Sequence, residues 1–321
     1  GHGCGVAGMT SVDRQMASVS SAMNHAYTRL NVTGKYRCRC DDFIVVEQSL
    51  PPTHEGEHDH LVIEKRGCNT EWVARCLADY AGVPPMAVGY AGRKDRHALT
   101  TQAFTVRPSA PEQMDWSGLK TPGFVIQAHT KTRKKLRPGD HHGNRFALVL
   151  REVTGDLSAR IEKIASEGFP NYFGPQRFGR GGMNLTAVDS LFEGRRVQRR
   201  ERSFLLSVAR AQLFNEYLSR TLETLGWEHL SATDVGPLYG RSRDPQLGES
   251  ALDERSRQWL LGLARFKVSA SFRAMRVIPD AVSWEQISQD QWRLDFALPP
   301  GSYATSLLRE LLDAIEGEGS E

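Results

Sequence analysis

Cysteine is scarce in this chain. There are five among 321 residues (Cys4, Cys38, Cys40, Cys68 and Cys76), an odd count without the dense spacing of a disulfide framework. Such usage suits a reducing compartment and points to the cytoplasm. Long hydrophobic runs are missing too. No stretch approaches the ~18 consecutive apolar residues of a membrane-spanning helix, and no basic segment followed by an apolar run marks a secretory signal. Charge of one sign is also wanting. The net value is only +3, so bulk charge identifies no nucleic-acid partner and its distribution has to be read instead. Several motifs are absent. "GRGGMN" lacks the Lys-Ser/Thr ending of a phosphate loop, "FGRGG" does not match the dinucleotide fingerprint, and there is no Gly-x-Ser-x-Gly elbow. "HEGEHDH" lacks His-Glu-x-x-His spacing, and neither Cys38-x-Cys40 nor Cys68 with Cys76 matches a zinc pair, so no metal site is expected.

What is present is globular composition, 40% hydrophobic and 25% charged, in a chain long enough for two domains or one large one. The first 22 residues are small, polar and aperiodic. They read as an arm or a vector-derived remnant, with Met23 as a candidate native start. "DDFIVVEQ" and "HLVIEKRG" read as strands that would pair antiparallel through the Pro51-Pro52 loop. "NTEWVARCLADYAG" is a helix with Asn69 or Thr70 as cap, an apolar face at Trp72, Val73, Cys76, Leu77 and Tyr80, and Gly82 as its stop. "MAVGY", "TTQAFTV", "FVIQAHT" and "RFALVLREV" read as further strands. The pattern then turns helical. A helix follows Asp156, "FPNYFGPQRFGRGGMN" is a glycine- and aromatic-rich loop, a long helix starts near Ser203, and 251–275 is helical again. Strand character returns near Val277. The chain ends in a helix, "TSLLRELLDAIEG", with Leu307, Leu308, Leu311, Leu312 and Ile315 on one face. This order predicts an α+β protein, a sheet domain interrupted by a helical insertion.

Charge is clustered. "HTKTRKKLRPGDHHGNR" holds Lys131, Arg133, Lys134, Lys135, Arg137 and Arg145; "RRVQRRER" holds five arginines against Glu201; Arg93, Lys94 and Arg96 form a third group. One such run is usually a solvated loop. Three point to a polyanion whose phosphates they neutralise, with salt-sensitive binding. Inside the third group sits one acid, Asp95, in "YAGRKDRHALTTQ". Neighbouring cations favour its carboxylate form. That form suits a nucleophile or general base and suits a general acid poorly. The bland alternative is an Asp satisfied by loop salt bridges.

"AGRKDRHALTTQ", "GNRFALVLR", "FPNYFGPQRFGRGGMNL" and "LPPGSYATSLLREL" together closely resemble the TruD family of transfer RNA pseudouridine synthases. "DDFIVVEQ", "GEHDHLVIEKRGCNTEWVARCLA" and "RSFLLSVARAQLFNEYL" resemble it as well, so the likeness runs from about residue 35 to 312 in the family's order. The resemblance implies isomerisation of uridine to pseudouridine at position 13 of tRNA, with no cofactor and no metal, by a monomer without membrane or protein partners. It implies a mixed, mainly antiparallel pseudouridine-synthase sheet domain at 35–157 and 278–321. The family's mainly helical insertion would occupy 158–277, and 1–34 would be an arm, partly disordered. Asp95 falls on the family's catalytic aspartate. Its carboxylate could act at C1′ of the ribose or add to C6 of the base. Phe43, Asn144 and Tyr303 match residues around the target uracil, and Lys94 and Phe146 match further motif positions. Each has a plain structural alternative: Phe43 and Phe146 as core, Asn144 as a turn residue, Tyr303 as helix-entry packing, Lys94 as a partner for Asp95. Arg93, Arg96, Lys131, Arg133, Lys134, Lys135 and Arg137 are the candidates for the RNA backbone. "NYFGPQRFG" reads as a structural hinge. Two departures stand out: Cys40 where the family often has proline, and an insertion that looks short over 231–260. The rival functions are an RNA-binding or RNA-chaperone module and a metal-dependent nucleic-acid hydrolase.

Overall fold

The computed structural model describes residues 23–318, so the first 22 residues of the expected arm lie outside it. Contacts divide the chain into two compact units. A sheet unit comprises 30–167, 279–304 and 311–318, and a helical unit comprises 23–29, 168–278 and 305–310. The segment 158–167, expected in the insertion, groups with the sheet unit.

The sheet unit begins with β1 (Thr33–Tyr36), β2 (Phe43–Ser49), β3 (His58–Arg66), α1 (Thr70–Ala81), β4 (Gly89–Tyr90), β5 (Leu99–Val106), β6 (Phe124–Thr132), β7 (His141–Leu150) and α2 (Ser158–Glu167). The chain then supplies β8 (Phe169–Pro170), α3 (Met183–Phe192), α4 (Arg199–Leu225), β9 (Val235–Leu238), α5 (Glu254–Arg265), β10 (Ser271–Ala274) and β11 (Arg276–Val277) to the helical unit. It finishes with β12 (Asp280–Ser288), β13 (Gln291–Leu298), α6 (Ala304–Leu311) and β14 (Asp313–Glu316).

Among the described residues the main sheet runs β12-β13-β7-β2-β5-β3-β6, with β4 added to β5. Only β2 and β5 are parallel in it. The mixed, mainly antiparallel α+β fold is as expected. The expected β2–β3 hairpin is not formed. β5 lies between them, parallel to β2 and antiparallel to β3. β5 is buried along nearly its whole length, so it takes a central place with partners on both edges. The loop 50–57 has only to step over one strand, roughly 10 Å. One face of β3 and β5 (Leu61, Ile63, Phe104, Val106) is covered by Val73, Ala74, Leu77, Ala78 and Ala81 of α1. Gly82 ends α1 in the left-handed region at φ 68°, its N–H bonded to Ala78 O and Asp79 O.

Other boundaries move for local reasons. "MAVGY" shrinks to a 3-10 turn, Pro85–Ala87, and two residues of β4. "GRGGMN" is not all loop: Gly181 and Gly182 turn the chain at positive φ and α3 begins at Met183. The long helix starts four residues before Ser203, at Arg199. The expected helix over 251–275 stops at Arg265, and Ser271–Ala274 instead pairs with β9. At the C-terminus the helix ends at Leu311. Leu307, Leu308, Leu311 and Leu312 are buried as the pattern requires, but Ile315 is 58% exposed. It lies on β14, which pairs in parallel with the open edge of β1.

The helical unit packs α3, α4 and α5 around Val188, Leu191, Val208, Leu213, Trp259 and Leu263. "NYFGPQRFG" is tied within this unit. Asn171 Nδ2 donates to Ala274 O, the Tyr172 hydroxyl to Asn24 O, and Phe173 meets Phe214 edge-on. Residues 23–29 belong to the unit rather than to a separate arm: Asn24 N donates to Ser219 Oγ at 2.9 Å and the Tyr27 hydroxyl to Gly168 O at 2.7 Å.

One buried carboxylate locks the β3–β6 edge. Asp59 accepts from Trp116 Nε1 at 2.9 Å, His129 Nε2 at 2.9 Å and Lys131 Nζ at 2.6 Å. Burial alone would raise its pKa; the bonds from Lys131, His129 and Trp116 outweigh that and hold it below the usual carboxylate value. A depressed folded-state value gives stability that is present at neutral pH and is lost as pH falls through it. Asp59→Asn should therefore cost about 2 kcal/mol at pH 7, less than a fully enclosed pair because His129 and Lys131 are part-exposed. Thermal melts at pH 7 and near pH 3 check this. The gap to wild type should narrow in acid, and a gap that stays constant would contradict it.

Candidate active site

The period-two alternation of β2 puts Phe43, Val45 and Glu47 on one face. Register extends that face across the sheet. Val45 stands opposite Phe146 and Phe146 opposite Phe296, while Glu47 stands opposite Asn144 and Asn144 opposite Leu298. The Phe43 and Phe146 rings meet edge-on at 6.2 Å, and Phe146 stacks on Phe296 at 5.2 Å. Phe43, Phe146 and Asn144, far apart in sequence, thus share one face. Gly143 sets the approach before Asn144. Its φ is +133°, and a Cβ there would lie 2.2 Å from Leu298 O.

Asp95 stands on the irregular loop between β4 and β5. Gln102 Nε2 donates to Gly92 O at 2.9 Å, and Lys94 N donates to Thr70 Oγ1 at 2.9 Å. Buried Lys65 at the end of β3 donates to Asp95 O at 2.9 Å, Lys94 O at 3.3 Å and Cys68 O at 2.8 Å. The Asp95 side chain is 40% exposed. Arg37 Nη2 donates to Asp95 Oδ2, and among the described residues Oδ1 has no hydrogen-bond partner. Arg37 itself is buried. Its Nη1 donates to Glu316 Oε1 at 3.1 Å, and its guanidinium lies 4.1 Å from the centre of the Phe43 ring. Its φ of 54° is a left-handed conformation that costs a side-chain-bearing residue about 1–2 kcal/mol. The site therefore offers one carboxylate with one oxygen anchored on a buried cation and the other open to a substrate.

Lys94 does not pair with Asp95. It turns inward and meets Glu47 Oε2 at 2.9 Å, both side chains buried. Glu47 Oε1 accepts from Ser49 Oγ and Ala103 N. His141 lies close by. Burial first, and then the Lys94 charge, push its pKa down, so it is neutral at physiological pH. Several polar atoms here have no partner among the described residues: Asn144 Oδ1, His141 Nδ1 and His60 Nε2. Phe43 is 1% exposed and packs as core. Tyr303 is half-buried in the turn between β13 and α6.

The candidate backbone-binding cations divide. Arg93 pairs with Glu71 at 2.6 Å, Lys131 with Asp59 and Arg133 with Glu55. Arg96 Nε reaches Gly67 O, and Lys135 Nζ reaches Met86 O. Lys134 and Arg137 are exposed, with no side-chain partner among the described residues. Among those residues, too, no group of three or more His, Cys, Asp or Glu could hold a metal ion.

Sequence reasoning missed Arg37, Glu47 and Lys65. For Arg37, 58 residues from Asp95, no local signal exists. For Lys65 one does: alternation along "HLVIEK" puts it on the buried face with Leu61 and Ile63.

A sequence profile described as "tRNA pseudouridine synthase D (TruD)" matches residues 22–191. The tRNA pseudouridine synthase D of Methylococcus capsulatus is 37% identical, covering 90% of this chain and 93% of that protein. That of Cellvibrio japonicus is 38% identical, covering 93% and 95%. A solved structure described as a putative tRNA pseudouridine synthase D from Methanosarcina mazei superposes with a TM-score of 0.62 over 94% of this chain and 98% of that one. At 18% identity it supports the fold alone.

The Glu47–Lys94 pair is enclosed, so removing one partner strands a buried charge. Lys94→Met should cost about 3 kcal/mol in urea unfolding, and Lys94→Met with Glu47→Gln should regain part of it. A single variant as stable as wild type would contradict the pairing.

Proposed function

The chain belongs to the TruD family of tRNA pseudouridine synthases, and we propose that it isomerises uridine 13 of tRNA with Asp95 as the acting carboxylate. Membership makes it an isomerase that converts uridine to pseudouridine in tRNA. The target position and the residue roles are the proposed part. One observation carries them: Asp95 is an accessible carboxylate anchored through a single oxygen on a buried arginine, beside the sheet face that carries Phe43, Phe146 and Asn144.

The reaction breaks the C1′–N1 bond, turns the uracil, forms C1′–C5 and releases the C5 proton. Asp95 Oδ1 is open to attack or stabilise C1′, or to add at C6. The anchored oxygen keeps the carboxylate aimed while the base turns. The uracil has to leave its stack before it can rotate. Asn144 is half-buried on that sheet face, and its amide is of the kind that pairs with a uracil edge. Tyr303 stacks on the base. Phe43 and Phe146 act from beneath: Phe43 supports the Arg37 guanidinium, and Phe146 supports Phe43. Lys94 fixes Glu47 and with it the start of the loop. Every group comes from one chain, so a monomer suffices. A tRNA substrate and few cysteines agree with a cytoplasmic protein. Among the described residues no helix is long and apolar enough to cross a membrane.

Of the candidate phosphate contacts, Lys134 and Arg137 are the two exposed side chains without a partner among the described residues. Replacing both with Ala should make the plot of log affinity against log salt shallower by about 2. Lys131→Ala, whose partner is Asp59, should leave the slope unchanged. Equal slopes for the double variant and wild type would remove this loop from the interface.

The reaction itself is tested by tritium release from a tRNA transcript labelled at C5 of uridine. Wild type should release one tritium per pseudouridine formed at position 13, and Asp95→Asn should bind the RNA and release none. Binding without release by wild type would favour the RNA-binding-module reading.

A further inference from the structure

Among the described residues the ammonium of Lys65 is fully coordinated, and by backbone alone. Its three hydrogens match three carbonyl oxygens, those of Cys68, Lys94 and Asp95, at 2.8–3.3 Å, and the side chain is 1% exposed. A buried lysine without a carboxylate in direct contact is costly, so a chain that keeps one puts it to use. Two of its acceptors are consecutive carbonyls, one of them Asp95's own. Register supplies the reason it can reach them. Lys65 stands opposite Thr100 on β5, and Thr100 is level with Val45 on β2 and Phe146 on β7. Lys65 is thus the β3 end of the same cross-strand row that carries the aromatic rings.

We propose that Lys65 is a positioning residue for the isomerisation: by clamping the Lys94 and Asp95 carbonyls to the end of β3 it fixes the backbone from which the Asp95 carboxylate reaches substrate. This rests on Asp95 being the acting carboxylate. Arg37 holds the side chain of Asp95 and Lys65 holds its main chain, so the two constraints are independent. The other charged and titratable groups around the ammonium are Asp95 and Lys94 on the loop, Cys68 beyond β3 and Cys40 before β2. Burial dominates over them and brings the Lys65 pKa down to about 8. A neutral amine has two donors and a lone pair, so on deprotonation one of the three carbonyls loses its partner and the clamp loosens.

The experiment compares wild type, Lys65→Met, Lys65→Arg and Asp95→Asn for single-turnover pseudouridine formation, tRNA affinity and thermal melting, with rates followed from pH 6 to 9.5. Lys65→Met should lose at least tenfold in rate with tRNA affinity within twofold of wild type. The wild-type rate should fall above about pH 8. Lys65→Arg, which stays charged, should retain substantial rate and lack that fall. A Lys65→Met rate equal to wild type, or a rate loss matched by lost affinity, overturns the proposal. So does an alkaline fall of the same midpoint in Lys65→Arg. If Lys65→Met melts too low to assay, the wild-type profile decides: a flat rate to pH 9.5 overturns it. Inactive wild type would bring down the reading of Asp95 and this proposal together. Active wild type, dead Asp95→Asn and normal Lys65→Met would bring down this proposal alone.

Discussion

A buried guanidinium is expensive unless its hydrogens are answered, and Arg37 is answered from three directions: Asp95 from the loop after β4, Glu316 from β14 and the Phe43 ring from β2. Much of the local architecture serves that arrangement. β1 delivers Arg37 with a left-handed φ, a strain tolerated because the surroundings over-determine it. β14 pairs with β1 in parallel and so sets Glu316 beside it. Had the terminal helix continued through Ile315, as its leucine spacing suggests, this partner would be lost. The switch from α6 to β14 is therefore part of how the carboxylate is aimed.

Three buried cations meet around one loop, and each is satisfied differently. Arg37 takes a side-chain oxygen of Asp95, Lys94 takes Glu47, and Lys65 takes only carbonyls. This division leaves Asp95 with one anchor and one open oxygen. If Lys94 had paired with Asp95 as well, both oxygens would be engaged and the carboxylate would be structural. Burial of the Glu47–Lys94 pair beneath the loop keeps that second cation away.

Much of the fold was legible in the residues. Short apolar and β-branched segments marked β2, β3, β5, β6 and β7, and the apolar stripe with Gly82 marked α1. Pairing was less so, because register and strand order depend on non-local burial. Nothing within "DDFIVVEQ" says that β5 will slip between β2 and β3. Asp95 stood out as the lone acid among cations, yet none of the basic residues beside it is its ion-pair partner. Arg93 leaves for Glu71 and Lys94 for Glu47. The basic stretch after β6 illustrates the same limit. Its positive charges were countable, but the pairing of Lys131 with Asp59 and of Arg133 with Glu55 exists only once β3 and its preceding loop lie alongside.

The most direct test of this account removes the buried anchor and leaves the carboxylate. Arg37→Met should be assayed for single-turnover pseudouridine formation and for tRNA affinity on the same preparation, beside wild type. The rate should fall at least tenfold with affinity nearly unchanged, because Arg37 is buried and acts through Asp95. A wild-type rate, or a loss confined to RNA affinity, would contradict the claim that a buried arginine aims the acting carboxylate.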